Sequence, residues 1–364
     1  MRRNTVKRQN TQIHGTFIAA PPRLCYNQKR NIKPEWREVY AMYTVEGENE
    51  LLLTCREIPD GVAILRCETR DDSVRLPDEI GGAPVVSLGN YALSERAPDL
   101  RGQDVFPVRV TCGGPEPKHD ANAVRSVALP QPLQSVGSYA FYNCRRLKTL
   151  TLSSAVTDFG GGALMNCRAL REVRLYADPS SPTCLYKLLG EYAGELDVRF
   201  FWNGTVYYLL FPAYSEDLEA LTPAHIFQRR IHGAGYGYRQ CFDGGALSTH
   251  QYDRALSGLL ERHDFLVAAR VTIRRLATPF GLSDAARATC LDCLRAHGGT
   301  LARRCAAAGE SAALTFLLSL GVLSPAEIDA ACDTAREKEQ TAALSVLLAA
   351  GQSSPKGRAK TFDL

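Results

Sequence analysis

The sequence is 364 residues long, 45% hydrophobic and 23% charged, with a formal net charge of +4. This is an ordinary globular composition, which excludes a wholly disordered protein, and the length allows two or three structural units. Because no run approaches the roughly 18 to 20 apolar residues of a membrane span, and prolines interrupt the only apolar stretch near the N-terminus, we expect a cytoplasmic protein that does not contact a membrane.

The first 40 residues are basic, with nine Lys or Arg against Glu35 and Glu38, a net charge of +7. The remaining chain is therefore slightly acidic, and we do not expect a nucleic-acid partner for it. With few apolar residues and no helix or strand period, residues 1–41 are predicted to form a flexible tail. Phosphate binding by the tail is a second interpretation, and a start of the native protein at Met42 is a third.

Residues 50–68, "ELLLTCREIPDGVAILRCE", predict two strands around a turn at 59–61, which could cap the N-terminal end of the segment that follows. Residues 75–93 look like a degenerate copy of the repeats described next. In this copy, Leu88 stands 48 residues before its equivalent Val136, close to two repeat intervals.

The clearest feature is a repeat with an interval of 23 residues, by which "GSYAFYNCRRLKTLTL" (137–152) returns as "GGALMNCRALREVRL" (161–175). Together with residues 124–129, this gives three successive copies of one apolar pattern: "VRSVAL", "LKTLTL" and "LREVRL". Such a period and core predict a leucine-rich-repeat solenoid with one short strand per coil. Because a single coil cannot bury its apolar side chains alone, coils are stable only when stacked.

Within each repeat, the residue types predict which side chains are buried, which point outward and which lie in turns. Alternate strand residues enter the core and the others point out onto a concave sheet. Asn143 and Asn166 are predicted to bond backbone groups that the turn leaves unpaired, and the cysteines after them to fill a narrow gap. The outward residues form a small surface of mixed polarity, which suits a protein or peptide partner better than nucleic acid. They are Ser126, Ala128, Thr149, Thr151, Glu172 and Arg174.

The segment "LPQPLQSVGSYAFYNCRRLKTLTL" resembles the BspA-type leucine-rich repeats, common in bacterial proteins, whose consensus couples a Leu-Pro, an Ile-Gly, an Ala-Phe and a Cys before the strand. The resemblance covers about residues 74–176 and is strongest over 124–176. It implies a right-handed solenoid that binds proteins.

After the repeats, "DVRFFWNGTVYYLLF" (197–211) predicts a hairpin at Asn203-Gly204 that could close the far edge of the sheet. Helix signals follow. Thr222-Pro223 is predicted to start a helix that Gly233 ends. Further helices are predicted within "ALSTHQYDRALSGLLERH" and, from Asp264, over "FLVAARVTIRRLA".

From residue 283 onward the pattern is wholly helical. The predicted N-caps are Ser283, Thr300, Ser311 and Ser324, and the predicted helix ends are Gly298, Gly321 and Gly351. "AALTFLLSLG" returns 30 residues later as "AALSVLLAAG", and residues 301–321 resemble the helix pair of an ankyrin repeat. This resemblance, over about 299–351, implies antiparallel helix pairs stacked as a small solenoid, although the Thr-Pro-Leu-His segment of ankyrin repeats is absent.

A loop rich in glycine and arginine is the candidate anion-binding site, because its backbone amides and guanidinium groups could hold a phosphate. Its residues are Arg229, Arg230, Gly233, Gly235, Gly237 and Arg239. The G-x-G-x-x-G spacing and the lysine of a P-loop are missing, so a glycine-rich connector is the competing interpretation.

Cys290, Cys293 and His297 superficially resemble a zinc knuckle. On one helix, however, Cys290 and His297 would stand about 10 Å apart along the axis, too far for bonds of about 2.3 Å to one metal. We interpret these thiols as buried apolar residues, as we do most of the twelve cysteines, and expect no metal or other cofactor.

His225 and His232 could share a helix face for acid–base chemistry, but a solvated face explains the spacing equally well. No ordered catalytic constellation is present in the sequence, so we expect no enzyme and no catalytic residue.

The sequence thus predicts an α+β fold, in which a short leucine-rich-repeat solenoid is followed by a β-hairpin and an all-α, ankyrin-like region. The predicted divisions are a tail (1–41), the solenoid with cap strands (42–195), hairpin plus helices (196–282), helix pairs (283–352) and a tail (353–364). We predict a non-enzymatic scaffold that binds a protein or peptide on the concave face. The alternatives are a ligand- or phosphate-binding, or catalytic, module centred on 229–242, and a purely structural role in an assembly of unspecified oligomeric state.

Overall fold

Two main sheets and a set of C-terminal helices make up the fold. The structure is a computed structural model that describes residues 43–221 and 226–353. The predicted tail 1–41 lies outside the described residues, as does all but the first residue of the predicted tail 353–364. The other predicted domain boundaries stay predictions.

Up to residue 247 the described elements are mostly short strands joined by turns, with two short helices among them, and longer helices follow. The strands are β1 (Tyr43–Glu46), β2 (Leu51–Ile58), β3 (Gly61–Glu68), β4 (Ser73–Arg75), β5 (Glu79–Ile80), β6 (Ala83–Leu88), β7 (Phe106–Thr111), β8 (Ser126–Ala128), β9 (Ser135–Val136), β10 (Thr149–Ser153), β11 (Asp158–Phe159), β12 (Glu172–Tyr176), β13 (Leu196–Trp202), β14 (Thr205–Phe211), β15 (Ser215–Leu221), β16 (Ile226–His232), β17 (Phe242–Asp243) and β18 (Ala246–Leu247). The helices are α1 (Leu185–Gly190), α2 (Gly235–Arg239), α3 (Thr249–Arg254), α4 (Leu256–Glu261), α5 (Phe265–Ala277), α6 (Asp284–Ala308), α7 (Ser311–Ser319), α8 (Pro325–Glu337) and α9 (Thr341–Ser353).

Each repeat contributes one strand to each of the two main sheets. The six-stranded sheet has the order β14-β13-β12-β10-β8-β4, and all its neighbours are parallel except β14 beside β13. The second sheet has the order β1-β7-β2-β3-β6-β9-β11, with β5 beside β6. Because apolar residues from both sheets form one buried cluster, the core of the repeats lies between the sheets.

Residues that are 23 positions apart in the sequence lie directly opposite each other in neighbouring strands. Leu150 pairs with Val127 on one side and with Val173 on the other, so equivalent residues of successive copies are direct neighbours. Leu147 and Leu170, one interval apart, are both completely buried in the same cluster. The prediction of stacked copies with one parallel strand each is therefore confirmed.

Asparagine has a different role from the one predicted. The backbones of Asn143 and Asn166 are left-handed, with φ of 64° and 65°, a conformation that asparagine tolerates better than most residues. Their side chains bond each other, Asn166 Nδ2 donating to Asn143 Oδ1 at 2.8 Å, and Asn143 Nδ2 donates to Glu95 at 3.1 Å. The prediction that they bond backbone groups is wrong, because the next coil places a second polar side chain within reach.

The predicted cap and degenerate copy are both present at the N-terminal end. β2 and β3 form the expected hairpin with Ile58 opposite Gly61, and β3 pairs with β6 of the first copy. Leu88 pairs with Val136 across β6 and β9, so the two residues spaced 48 apart are equivalent. The hairpin therefore covers the edge of the first copy in the second sheet.

The predicted hairpin at Asn203-Gly204 is also present, and its first strand, β13, extends the six-stranded sheet beyond the repeats. The second strand, β14, lies at the edge of the sheet. Side chains from the helical region bond some of its edge backbone groups. Tyr208 N donates to Thr278 Oγ1 at 2.8 Å, and the Tyr252 hydroxyl both accepts from Leu210 N and donates to Leu210 O. The helices thus protect the sheet from further strand pairing.

The helix predicted from Thr222-Pro223 to Gly233 is wrong. The predicted start lies outside the described residues, and residues 226–232 form strand β16, antiparallel to β15. An acidic strand, "SEDLEAL", faces a basic one, "IFQRRIH", and cross-strand pairs of opposite charge stabilise such a hairpin. The partner strand precedes the proposed helix start, so the local signal at the proline was misleading.

Most of the later helices were predicted, but several of their predicted start and end residues are wrong. Helices within 249–261 and from Phe265 to Ala277 are confirmed, and Ser324 forms the full capping box with Glu327. The helix end at Gly298 and the N-cap at Thr300 are wrong, because α6 runs unbroken from Asp284 to Ala308. Ser311 was predicted as an N-cap, but it is the first residue of α7. Gly351 was predicted as a helix end, but α9 continues to Ser353.

Gly298 is a packing residue instead of a helix end. A Cβ there would lie 3.1 Å from Leu323 Cδ2, and one at Gly299 would lie 2.3 Å from Glu327 Oε1. Helix α6 thus comes close to the segment that leads into α8. The recurring segments 312–321 and 342–351 fall in and around α7 and α9, but the ankyrin-like arrangement of these helices stays a prediction.

Candidate partner-binding surface

The six residues predicted to bind a partner share one face of the six-stranded sheet, which we call the outer sheet face. The residues between them in sequence, such as Val127, Leu150 and Val173, are buried, whereas all six are half-buried. They are Ser126, Ala128, Thr149, Thr151, Glu172 and Arg174. The alternation predicted from the strand period is therefore present, and the role of the six in binding stays a prediction.

The strand register sorts the six residues into two rows. The first row is Ser126, Thr149 and Glu172, continued by Asp197, and the second row is Ala128, Thr151 and Arg174, continued by Arg199. Neighbouring parallel strands lie about 4.8 Å apart, so each row presents side chains at close, regular intervals. The structure brings all six predicted residues together.

Charges on the outer sheet face are paired, either with one another or with an arginine of helix α5. Glu172 Oε1 accepts a hydrogen bond from Arg174 Nε at 2.7 Å and lies 3.3 Å from Arg199 Nε. Asp197 accepts from Arg274 of helix α5 at 3.0 Å. The face therefore offers a partner a polar surface with little uncompensated charge.

An aromatic cluster next to the charged rows was not predicted. Tyr176 follows Arg174 on the same face, and its ring stacks on Phe201 with centroids 4.9 Å apart. Tyr176 is 44% exposed and Phe201 is half-buried. Counting one more outward position along β12 and β13 would have found the stacked pair. Partly exposed aromatic side chains are enriched where proteins bind each other.

The alternative site centred on 229–242 contains one arginine, Arg239, whose two terminal guanidinium nitrogens bond backbone carbonyls. Arg239 is buried, and its guanidinium donates to four backbone carbonyls, those of Tyr192, Gly194, Pro212 and Gly235. Burial lowers the pKa of Arg239 to about 10. The two terminal nitrogens of the guanidinium therefore tie helix α2 to the chain before it, whereas the buried Nε has no hydrogen-bond partner among the described residues.

The other residues of this predicted site are dispersed. Gly233 has a φ of 83°, and a Cβ on Gly235 would clash with carbonyls of Pro212 and Ala213, so both glycines meet backbone requirements. Gly237 lies within α2. Arg230 lies opposite Asp217 in the β15–β16 hairpin, and the side chain of Arg229 is outside the described residues. Anion binding by this loop stays a prediction.

No cluster of three or more His, Cys, Asp or Glu side chains suited to a metal ion occurs among the described residues. His225 lies outside them, and His232 bonds Asp217 at 3.1 Å, both exposed. Cys290 and Cys293 are 4% exposed, as predicted for apolar thiols, and burial raises the pKa of Cys290 to about 11. Of the eleven described cysteines, ten are buried and Cys112 is exposed.

Comparison with known proteins supports the repeat assignment. Residues 119–183 match the profile of a family described as BspA type Leucine rich repeat region (6 copies). Among solved structures, the crystal structure of the T. pallidum leucine rich repeat protein (TpLRR) matches with 21% sequence identity and a TM-score of 0.20, covering 34% of this chain and 68% of that chain. No curated protein matches the sequence significantly.

Members of leucine-rich-repeat families are generally protein-interaction modules, and no catalytic family is indicated for this chain. None of the helices in the described residues is both long enough and apolar enough to cross a bilayer. The part of the chain with the 23-residue interval is thus similar to BspA-type leucine-rich repeats, as its spacing predicted.

Proposed function

We propose that the protein is a non-enzymatic, cytoplasmic interaction module that binds a protein or peptide on the outer sheet face, the concave face of the predicted solenoid. The observation that carries this proposal is the alignment of the six outward residues in two rows beside the stacked, partly exposed Tyr176 and Phe201. Aromatic anchors beside polar groups that can exchange hydrogen bonds are typical of interface centres.

The chemistry of the face favours a partner with apolar or aromatic anchors over a highly charged one. Glu172 already forms ion pairs with Arg174 and Arg199, so a strongly charged partner would have to displace these pairs. Thr149 and Thr151 can donate and accept hydrogen bonds without such a cost. We therefore expect the partner to place apolar side chains over the aromatic pair and polar groups over the threonines.

The test combines partner capture with a matched pair of variants. The site variant is Thr151→Arg with Tyr176→Ala, which puts a charge in the second row and removes one ring of the pair. The control variant, Thr315→Arg with Tyr186→Ala, makes the same changes at exposed residues away from the sheet face. Affinity purification with quantitative mass spectrometry should yield a protein that the wild type and the control capture and the site variant loses.

Titration with that purified partner then measures the effect. We expect the site variant to raise the Kd at least tenfold, about 1.4 kcal/mol, while circular dichroism and the melting temperature stay close to those of the control. If the site variant captures every partner as the wild type does, the binding surface lies elsewhere.

Ligand or phosphate binding around residues 229–242 is the alternative proposal. It has weaker support, because Arg239 is already bonded to four carbonyls. Calorimetric titration of the chain with inorganic phosphate and with nucleotides would show heat of binding if the alternative holds.

A further inference from the structure

A row of basic residues runs along the repeats at the start of the strands. Arg125, Lys148 and Arg171 each stand immediately before a strand and are spaced by the 23-residue interval. Their backbones are hydrogen-bonded in sequence, Lys148 N to Arg125 O at 2.6 Å and Arg171 N to Lys148 O at 2.9 Å. Three basic side chains therefore leave adjacent coils at about 4.8 Å intervals.

The turn before these positions carries further basic residues. Arg145 and Arg168 are also one interval apart, each directly after the Asn-Cys pair, and Arg146 follows Arg145. All six side chains are exposed. We call this set the basic ridge: Arg125, Arg145, Arg146, Lys148, Arg168 and Arg171.

None of the six ridge side chains forms a salt bridge with a described acidic residue. The only engaged side chain of the ridge is that of Arg171, which donates to the carbonyls of Arg168 and Leu170 and to the Tyr192 hydroxyl, none of them acidic. The same backbone series continues to Asp72, whose carbonyl accepts from Arg125 N at 2.7 Å. Its exposed side chain is the acidic group beside the N-terminal end of the ridge, and Glu95 is bonded to Asn143. On the outer sheet face, by contrast, Glu172 pairs with Arg174 and Arg199, and Asp197 pairs with Arg274 of helix α5. Positive charges held this close repel each other unless an anion is bound.

We propose that the basic ridge is a second docking surface, for an acidic segment of a partner protein rich in Asp and Glu. Charge complementarity is the basis of the proposal. From Arg125 to Lys148 to Arg171 the ridge spans two strand spacings, about 10 Å, which an extended peptide covers with three or four residues. Steering of such a partner would speed its encounter with the protein.

A protein segment fits the ridge better than a nucleic acid does. Nucleic-acid binding normally neutralises phosphates over a longer track, and single strands use exposed aromatic platforms for stacking. No aromatic residue belongs to the ridge, and beyond the first 40 residues the chain is net acidic. The proposal concerns a surface separate from the outer sheet face, so either proposal can fail while the other holds.

The experiment measures binding of a fluorescein-labelled octaglutamate peptide to the full chain by fluorescence anisotropy over a range of salt concentrations. An eight-nucleotide single-stranded RNA serves as the competing polyanion. The ridge variant is Arg125→Gln, Arg145→Gln and Lys148→Gln. The matched control, Arg254→Gln, Arg262→Gln and Arg287→Gln, removes the same charge from exposed residues of the helical region that make no side-chain bond among the described residues.

We expect the wild type and the control to bind the peptide alike, the ridge variant to bind at least tenfold more weakly, and its salt dependence to be shallower. The site variant Thr151→Arg with Tyr176→Ala should keep wild-type affinity for this peptide, which separates the two proposals. Equal affinity of the ridge and control variants would place the binding elsewhere, for example in the first 40 residues, and overturn the proposal. Absence of peptide binding at low salt, or tighter binding of the RNA, would overturn it as well.

Discussion

The repeats and the C-terminal helices are held together in different ways. In the repeats the same contact recurs between successive copies. Cys144 donates its thiol hydrogen to the carbonyl of Leu93 at 3.3 Å, and Cys167 does the same to Phe141 at 3.1 Å. Each copy is therefore stabilised by contacts with the equivalent residues of the adjacent copy, and the stability of the stack is distributed over these interfaces.

In the helical region the contacts are individual and join residues far apart in sequence. Arg270 of α5 pairs with Glu195 at 2.6 Å, and Arg275 of the same helix pairs with Asp253 at 2.7 Å, with only 2% of the arginine side chain and 9% of the aspartate side chain exposed. No contact of this kind recurs at a fixed interval. The comparison teaches that a periodic sequence distributes the stability over many equivalent interfaces, whereas a non-periodic sequence concentrates it in a few individual ion pairs.

The largest expected effect is on the buried ion pair. Asp253→Asn leaves the Arg275 guanidinium charged, buried and without its counter-ion, which should lower the free energy of unfolding by about 4 kcal/mol. Urea denaturation measures the loss, and hydrogen exchange should locate it in residues 249–277. Asp333→Asn, which breaks an exposed pair with Arg336, should change stability by less than about 0.5 kcal/mol. An equal, small effect of both changes would show that the helical region does not depend on its buried pair.

The second largest expected effect comes from a substitution that disturbs the stacking of the repeats. In Gly137→Ala the new Cβ would lie 2.5 Å from the backbone of Gly89 and Asn90 in the neighbouring copy, so the copies must move apart, at a cost of about 3 kcal/mol. Gly161→Ala, with no atom within 4 Å of its Cβ, is the control and should be nearly neutral. Hydrogen exchange should rise on both sides of Gly137 and not in the helices. Destabilisation confined to the substituted turn would contradict shared stability.

The smallest effect concerns one carboxylate in the N-terminal cap. Burial alone would raise the pKa of Glu50, but hydrogen bonds from Gly114, Thr111 and Cys112 outweigh it and lower the pKa from 4.5 to about 2. A lowered folded-state pKa stabilises the fold above the unfolded value, and this contribution is lost as the pH falls from about 4.5 towards 2. Melting temperatures of the wild type and Glu50→Gln should therefore differ at pH 6 and converge at low pH.

Glu116→Gln, at an exposed residue of the same segment, is the control for this pH series. It should leave the melting temperature unchanged at every pH. A constant gap between the wild type and Glu50→Gln down to pH 2 would contradict the lowered pKa and would point to lost packing as the cause.

Prediction from the sequence succeeded where the determinant was periodic or strictly local. The strands at 149–153 and 172–176 follow from the spacing of leucines, and the hairpin at Asn203-Gly204 follows from two residues suited to a tight turn. The six outward residues follow from strand alternation. Tyr176 and Phe201 lie on the same face and were missed, because the stacked pair joins strands from a repeat and from the hairpin beyond it.

Prediction failed where a distant partner decided the outcome. Residues 226–232 have a plausible helix start before them, yet they pair with the acidic strand 215–221. Gly298 carries the usual signal of a helix end, but it lies where Leu323 comes close and the helix continues. Arg239 belongs to a loop rich in glycine and arginine, but its donors meet backbone carbonyls of residues 192–235.

The sequence by itself determined the repeat, its interval and the face each strand residue takes, because these depend on a pattern that every copy carries in full. Tertiary structure alone decided which glycines permit close packing, which arginines are buried and which charges find partners. The physical reason is that a side chain's electrostatic and steric environment is set by neighbours that can be 75 residues away, as Glu195 is from Arg270. The basic ridge combines both, since its spacing is set by the sequence, and only the fold shows that its side chains form no salt bridge with a described residue.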